Sequence, residues 1–108
     1  MPRRGEIWWS RLDPTVGSEI SKTRPCVVIS ATLTNERRRT VVVVPLSTTT
    51  RVAPPLTVRV MCAGRPVVAV IDQIRALAKE RLTRRIEDLS PQDLQAVESG
   101  LREILELD

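Results

Sequence analysis

The sequence predicts a mainly β domain: a small, strongly bent antiparallel sheet or barrel of five to seven short strands, closed by one C-terminal amphipathic helix. Short apolar runs rich in valine, leucine and isoleucine recur from residue 6 to residue 86, with polar or proline-containing turns between them. Only the segment after Ser90 has apolar residues at helical spacing. Because the chain has 108 residues and neither linkers nor repeats, we expect one domain over residues 1–108.

The strands are predicted from the apolar runs. Four consecutive valines within residues 40–46 indicate a strand that is buried on both faces. Residues 56–61 alternate apolar and polar side chains, as a half-buried strand does. The polar residues 32–39 are interpreted as a hairpin connection. Further strands are expected over residues 6–12, 26–31, 67–71 and 82–86, with an extended continuation over residues 72–77.

The C-terminal helix has a clear start signal. Ser90 is a favoured capping residue, Pro91 suits the first helical position, and Asp93 suits the positive end of the helix dipole. The apolar residues that follow at helical spacing are Leu94, Val97, Leu101, Ile104 and Leu105. One amphipathic helix is therefore expected to pack on the sheet.

The charge of the chain is unevenly distributed. Residues 1–86 contain 16 basic and 6 acidic side chains, whereas residues 87–108 contain 1 basic and 7 acidic side chains. The basic part is able to attract a polyanion, which favours nucleic acid as a partner over a merely solvated surface. The run Arg37-Arg38-Arg39 is either a solvated tip or a non-specific phosphate contact.

The composition excludes several kinds of chemistry. The chain has no histidine, so neither a Ser-His-Asp triad nor a Cys-His nucleophile is available. A metal site would need clustered carboxylates, and the only candidates are Asp13, Glu19 and Asp72. We therefore expect no metal and no cofactor. Cys26 and Cys62 lie in apolar runs and are expected to be buried, reduced thiols. With no apolar stretch of membrane-spanning length and no hydrophobic leader, a cytoplasmic protein is expected.

The remaining inventory of arginines, hydroxyls and a few acids suits phosphodiester chemistry on RNA. RNA carries its own nucleophile, the 2′-OH, so a protein needs only to position the phosphate and stabilise the developing charge. Pro25 fixes its own φ and holds Arg24 extended at the end of a polar loop, which places a permanent charge at a defined point. Ser47 directly follows the valine-rich strand and is able to face a cleft there.

Several motifs follow one another in order along the chain: Arg4-Gly5-Glu6-Ile7-Trp8-Trp9, Leu12-Asp13-Pro14, Gly17-Ser18-Glu19, Arg24-Pro25-Cys26-Val27-Val28, Pro45-Leu46-Ser47 and Asp72-Gln73-Ile74-Arg75. Together they resemble the MazF/PemK/Kid-type toxins over essentially the whole chain. The resemblance implies an SH3-like barrel of the CcdB/MazF type and a homodimer. It also implies a metal-independent, sequence-specific endoribonuclease (an mRNA interferase) acting on single-stranded RNA, usually through a 2′,3′-cyclic phosphate, with an acidic MazE-like antitoxin as partner.

The resemblance assigns the site residue by residue. The essential arginine of the family falls on Arg24 and its essential threonine on Ser47, while a register shift of one residue would make Thr48 the active hydroxyl. Glu19 is a candidate base. The predicted substrate-binding residues are Ser18, Glu19, Lys22, Thr48, Asp72, Gln73 and Arg75. The segment 20–22 departs from the Gln-Gly-Gly-like stretch of many members, which affects the expected cleavage sequence more than the activity.

Two alternative functions remain open at this level. A related fold inhibits DNA gyrase through contacts of its terminal helix and does not cleave RNA. The polar features of this chain gather in the loops and not in the last helix, which favours the ribonuclease. A non-catalytic RNA-binding barrel would bind RNA without cleaving it, with an affinity that falls steeply with salt.

Overall fold

The computed structural model describes all 108 residues and contains one bent, antiparallel sheet of seven strands. The strands are β1 (Glu6–Arg11), β2 (Thr23–Val28), β3 (Thr40–Ser47), β4 (Thr57–Cys62), β5 (Arg65–Val70), β6 (Arg75–Ala78) and β7 (Leu82–Asp88), and the helices are α1 (Thr32–Arg37) and α2 (Pro91–Ile104). The strand order is β4-β5-β3-β2-β1-β7, and β6 also pairs with β3. The predicted mainly β architecture with a C-terminal helix is confirmed.

Strand β3 is the centre of the sheet because it pairs with three other strands. Val43 to Pro45 pair with β2, Thr40 to Val43 pair with β6, and the last two residues pair with β5. Val44 belongs to the larger of two core clusters, while Val41 and Val43 belong to the smaller cluster. These three valines are at most 1% exposed, so the predicted burial of the strand on both faces is confirmed.

Helix α2 covers the larger core cluster. The Ser90 side chain accepts a hydrogen bond from the Asp93 N–H at 3.1 Å, as the capping signal predicted. Val97 is fully buried, and a Cβ atom at Gly100 would lie closer than a normal van der Waals contact to the end of the Ile71 side chain, so the helix packs closely on Ile71. The helix therefore fixes the turn over Ile71–Gln73, a short 3-10 helix that leads into β6.

The structure differs from the sequence-based prediction in three places. Residues 32–37 form helix α1 and not a hairpin, because the fully buried Asn35 amide donates to the carbonyls of Ser30 and Pro2 at 3.1 and 3.2 Å. Strand β2 begins at Thr23 and not at residue 26, because β1 pairs with it as far as Arg11. The predicted extended stretch 72–77 is interrupted by the 3-10 turn.

The prediction that both cysteines are buried, reduced thiols is confirmed. Cys26 and Cys62 are both free and buried. Neither helix is long and apolar enough to cross a membrane. Burial raises the pKa of the Cys26 thiol to about 11, which outweighs the opposing effects of Ser10 and Arg75. This thiol therefore stays protonated near neutral pH and is a core residue.

Candidate active site

Arg24 and Ser47 line the same pocket, whose volume is about 220 Å³. Arg24 stands near the start of β2, and Ser47 is the last residue of β3. Cys26 pairs with Pro45 at the end of the ladder between these two strands, and Arg24 and Ser47 each lie two residues beyond that pair. The sheet pairing thus brings together two polar side chains that are 23 positions apart in sequence.

Arg24 is half-buried and only lightly bonded within the protein. Its Nε–H donates to the carbonyl oxygen of Ser21 at 3.3 Å, and its terminal nitrogens make no hydrogen bond or ion pair. A planar guanidinium with free donors at the wall of a pocket is suited to bidentate contact with a phosphate. The arginine is therefore available for an anionic ligand.

The Ser47 hydroxyl is almost buried, with 7% of the residue exposed. Its oxygen accepts hydrogen bonds from the backbone N–H groups of Thr49 and Thr50, both at 3.2 Å, and from the Thr50 hydroxyl at 2.9 Å. The Thr49 hydroxyl lies 3.4 Å from the same oxygen and is the nearest partner for the single proton of the serine hydroxyl. Thr48 lines the same pocket but is exposed, so the two candidate hydroxyls have different surroundings.

The predicted loop residues form a second group next to the pocket. The loop over residues 12–22 closes through the Leu12 N–H, which donates to the Lys22 carbonyl at 2.8 Å. Lys22 adopts a left-handed conformation, with φ of 67°, and its side chain is exposed. The Glu19 carboxylate accepts the Val16 N–H at 2.7 Å. Glu19 therefore helps to shape the loop, and the Ser21 carbonyl is the loop's hydrogen-bonded link to Arg24.

Gln73 and Arg75 fasten this loop to the sheet. The Ile20 N–H donates to the Gln73 side-chain oxygen at 2.7 Å, and the Gln73 amide donates to the Ser18 carbonyl at 3.4 Å. Arg75 donates to the Ile20 carbonyl at 3.2 Å and to the Gln73 oxygen at 3.0 Å. We call these two residues the loop clasp. Asp72 is exposed beside the clasp and makes no side-chain hydrogen bond.

We expect Gln73→Met to loosen the loop without unfolding the protein. The substitution keeps the length of the side chain but removes the acceptor of the Ile20 N–H, and such a bond contributes about 1 kcal/mol. Hydrogen exchange of the Ile20 amide, followed by NMR, is expected to accelerate about tenfold, while the melting temperature changes little. The exposed Gln92→Met is the control. Unchanged exchange at Ile20 would show that the clasp does not hold the loop.

Trp9 was not singled out from the sequence, yet it lines the Arg24 pocket. It pairs with Pro25 on β2 and with Arg84 on β7. The sequence does contain a clue to where Trp9 points, because Trp8 and Trp9 are neighbours in β1 and must face opposite sides of the sheet. Trp8 packs on the smaller core cluster, which leaves Trp9 on the side of the pocket.

Glu6 and Asp88 form ion pairs with one arginine away from the pocket. Arg85 bridges Glu6 at 2.9 Å and Asp88 at 2.7 Å. Burial raises the pKa of Glu6, but hydrogen bonds from the Arg3 N–H, Trp8 and Arg85 outweigh it, so this pKa lies below its usual value. No group of three or more histidine, cysteine, aspartate or glutamate side chains is arranged to hold a metal ion.

Comparison with known proteins places the chain in a family. The model of the PemK-like, MazF-like toxins of type II toxin–antitoxin systems matches residues 3–105. The chain belongs to this family. The resemblance described from the sequence motifs is thereby confirmed.

Individual members of the family match over their full length. The chain is 36% identical to the endoribonuclease MazF9 of Mycobacterium tuberculosis, with 99% of this chain and 98% of that protein covered. It is similar in fold to MazF of Deinococcus radiodurans, with a TM-score of 0.87, 22% identity, and 97% and 96% of the two chains covered. A mycobacterial endoribonuclease solved with its cognate antitoxin gives a TM-score of 0.83, 23% identity, and 100% and 98% coverage.

Proposed function

We propose that this chain is a toxin that cleaves single-stranded RNA at a specific short sequence without using a metal ion. The observation that carries the proposal is the shared pocket of Arg24 and Ser47. Relatives in the same family, including MazF9, are named endoribonucleases. A guanidinium with free donors and an oriented hydroxyl provide what a self-cleaving ribose-phosphate linkage requires, namely positioning and charge stabilisation.

The proposed reaction uses the 2′-OH of the substrate as nucleophile. The 2′-oxygen attacks the adjacent phosphorus and loses its proton to a base or to water, and the bond from phosphorus to the 5′-oxygen breaks. The leaving 5′-oxygen takes a proton from water, so the products are a 2′,3′-cyclic phosphate and a 5′-OH. Arg24 stabilises the additional charge on the phosphate oxygens, and Ser47 donates its hydroxyl proton to one of them. Glu19 is the candidate general base, since its carboxylate accepts one hydrogen bond, from the Val16 N–H, and keeps further acceptor sites.

The loop and its clasp are proposed to contact the bases around the cleaved linkage. Ser18, Glu19 and Lys22 are exposed on the loop beside the pocket, and Asp72 is exposed next to the clasp. Gln73 and Arg75 direct their polar groups to the loop backbone, so in this proposal they hold the reading surface in place. Thr48, exposed at the rim of the pocket, is proposed to bind the substrate.

The proposal includes the partners and the compartment of the toxin. We propose a homodimer over the single domain of residues 1–108, acting in the cytoplasm, where messenger RNA is present. The family is defined by toxin–antitoxin pairs, and related toxins have been solved together with their antitoxins. The basic surface of residues 1–86 is complementary to an acidic antitoxin segment that folds on binding.

The function is tested by incubating the purified protein with a long single-stranded RNA in the presence of a chelator. We expect cleavage at one short recurring sequence, and products whose 5′ ends carry a hydroxyl, identified by sequencing the 5′ ends with and without prior phosphorylation. The same RNA annealed into a duplex is the control and is expected to remain intact. RNA that is bound but never cleaved would indicate a passive RNA-binding barrel, and intact RNA with gyrase inhibition would indicate a protein-binding toxin.

A further inference from the structure

The Arg24 pocket continues into a longer groove. A cavity of about 470 Å³ adjoins it and shares Trp9, Pro25, Thr48 and Val67 with the pocket. A cavity of about 310 Å³ shares Thr48 and Val67 with the pocket and, in addition, Pro66 with the larger cavity. Because Thr48 and Val67 line all three spaces, the three are neighbours and together form one groove that includes the Arg24 pocket. A groove of this size has room for several linked units of a polymeric ligand and not only for one phosphate.

Trp9 is an aromatic wall of this groove. It forms a cross-strand row with Pro25 on one side and Arg84 on the other. Trp8, the other aromatic residue of the chain, donates its indole N–H to Glu6 at 3.1 Å and packs on the smaller core cluster. The Trp9 indole N–H has no acceptor within the protein, and its ring is half-buried in the walls of both the pocket and the larger cavity. Trp9 is therefore the aromatic ring that a ligand in the groove meets.

The arginines along the groove are unpaired. Arg59, Arg65 and Arg84 are exposed, and their side chains make no hydrogen bond or ion pair. Arginines elsewhere in the sheet are engaged: Arg85 bridges two carboxylates and Arg75 belongs to the loop clasp. A groove with free guanidinium groups and an aromatic wall has the features that bind single-stranded nucleic acid, by phosphate contact and by base stacking.

We propose that Trp9 is a stacking platform for a base of single-stranded RNA next to the cleaved linkage, and that Arg65 and Arg84 bind the phosphates that follow. The larger cavity is the subsite, since Trp9, Arg65 and Arg84 all line it. Stacking on an indole tolerates every base because every base has a π-face, so this subsite supplies affinity while the loop supplies sequence preference. The proposal rests on RNA being the substrate.

The test uses binding and not cleavage. A 20-nucleotide single-stranded RNA pool with 2′-O-methyl groups throughout lacks the 2′-OH nucleophile and remains intact. We expect Trp9→Leu to bind this pool about 10- to 100-fold more weakly than the parent, and Trp9→Phe to stay within about threefold of it. Arg84→Ala and Arg65→Ala are each expected to weaken binding and to reduce the slope of log affinity against log salt by about one. The exposed Arg3→Ala, outside the groove, is the control.

A second measurement follows the Trp9 indole ring through its fluorescence. In a Trp8→Phe background the only indole is Trp9, and we expect its fluorescence to be quenched when the RNA pool is added. Parent-like RNA binding by Trp9→Leu, or unquenched Trp9 fluorescence at saturation, would overturn the proposal. If Trp9→Leu loses binding to an acidic antitoxin peptide but binds RNA like the parent, the proposal is overturned in favour of a protein-binding groove. If the parent binds the modified pool but does not cleave unmodified RNA, the proposed cleavage is contradicted while the stacking of an RNA base on Trp9 is not.

Discussion

Replacing Arg24 with alanine is expected to lower the rate of RNA cleavage by about two to three orders of magnitude, the usual effect of removing one charge-stabilising donor. Arg24→Lys is expected to recover only part of the loss, because an ammonium group lacks the planar fork that contacts two phosphate oxygens. The fold should persist, since the side chain makes one long hydrogen bond to the Ser21 carbonyl. Single-turnover cleavage of a saturating RNA measures the effect on the chemical step.

The control for Arg24 is Arg3→Ala, because Arg3 is an exposed arginine that lines a cavity near the start of α2, away from the pocket. We expect this variant to cleave RNA at the parent rate. If Arg24→Ala cleaves within threefold of the parent while its melting temperature is unchanged, Arg24 has no part in the reaction.

The second large effect is expected from Ser47→Ala. This change removes the acceptor of two backbone N–H groups and of the Thr50 hydroxyl at a site that is 7% exposed. We expect the free energy of unfolding to fall by about 1–3 kcal/mol and the cleavage rate to fall about a hundredfold or more. Ser47→Thr keeps the hydroxyl and is expected to retain cleavage. Cleavage is measured well below the melting temperature of each variant, so that the loss of stability does not enter the rate.

Thr48→Val separates the two candidate hydroxyls. Thr48 is exposed and its hydroxyl makes no hydrogen bond within the protein, so we expect unchanged stability and less than a fivefold loss of cleavage. A hundredfold loss in Thr48→Val, together with an active Ser47→Ala, would transfer the catalytic role to Thr48. The pair of measurements therefore decides which hydroxyl faces the phosphate.

The sequence predicts those parts of the fold that depend on local pattern. The valine run, the capping serine and the helical spacing after it all give the correct element, because burial and capping follow from neighbouring residues. Helix α1 was missed because its anchor, Asn35, bonds to the Pro2 carbonyl 33 positions away. A contact at that separation leaves no trace in the local polarity of residues 32–39.

The candidate site likewise contains residues that local pattern predicts and contacts that depend on residues far apart in the sequence. Arg24 and Ser47 stand out as the ends of apolar strands next to polar loops, and strand pairing then brings them together. The clasp function of Gln73 and Arg75 was not predicted, because their partners Ile20 and Ser18 lie 53 to 55 positions earlier in the chain. Polar residues at the end of a strand give the same pattern whether they face a ligand or another loop.

The way in which the loop is attached has a consequence for how such a toxin diversifies. The loop over residues 12–22 is closed on itself and is fastened by two side chains, whereas Arg24 and Ser47 stand on strands that adjoin the core. Side-chain mutations in the loop that keep its backbone path, including the Ser21 carbonyl bound by Arg24, therefore leave the arrangement of Arg24 and Ser47 intact. Duplicated copies of such a gene are able to change the RNA sequence that they recognise while they keep the same cleavage reaction.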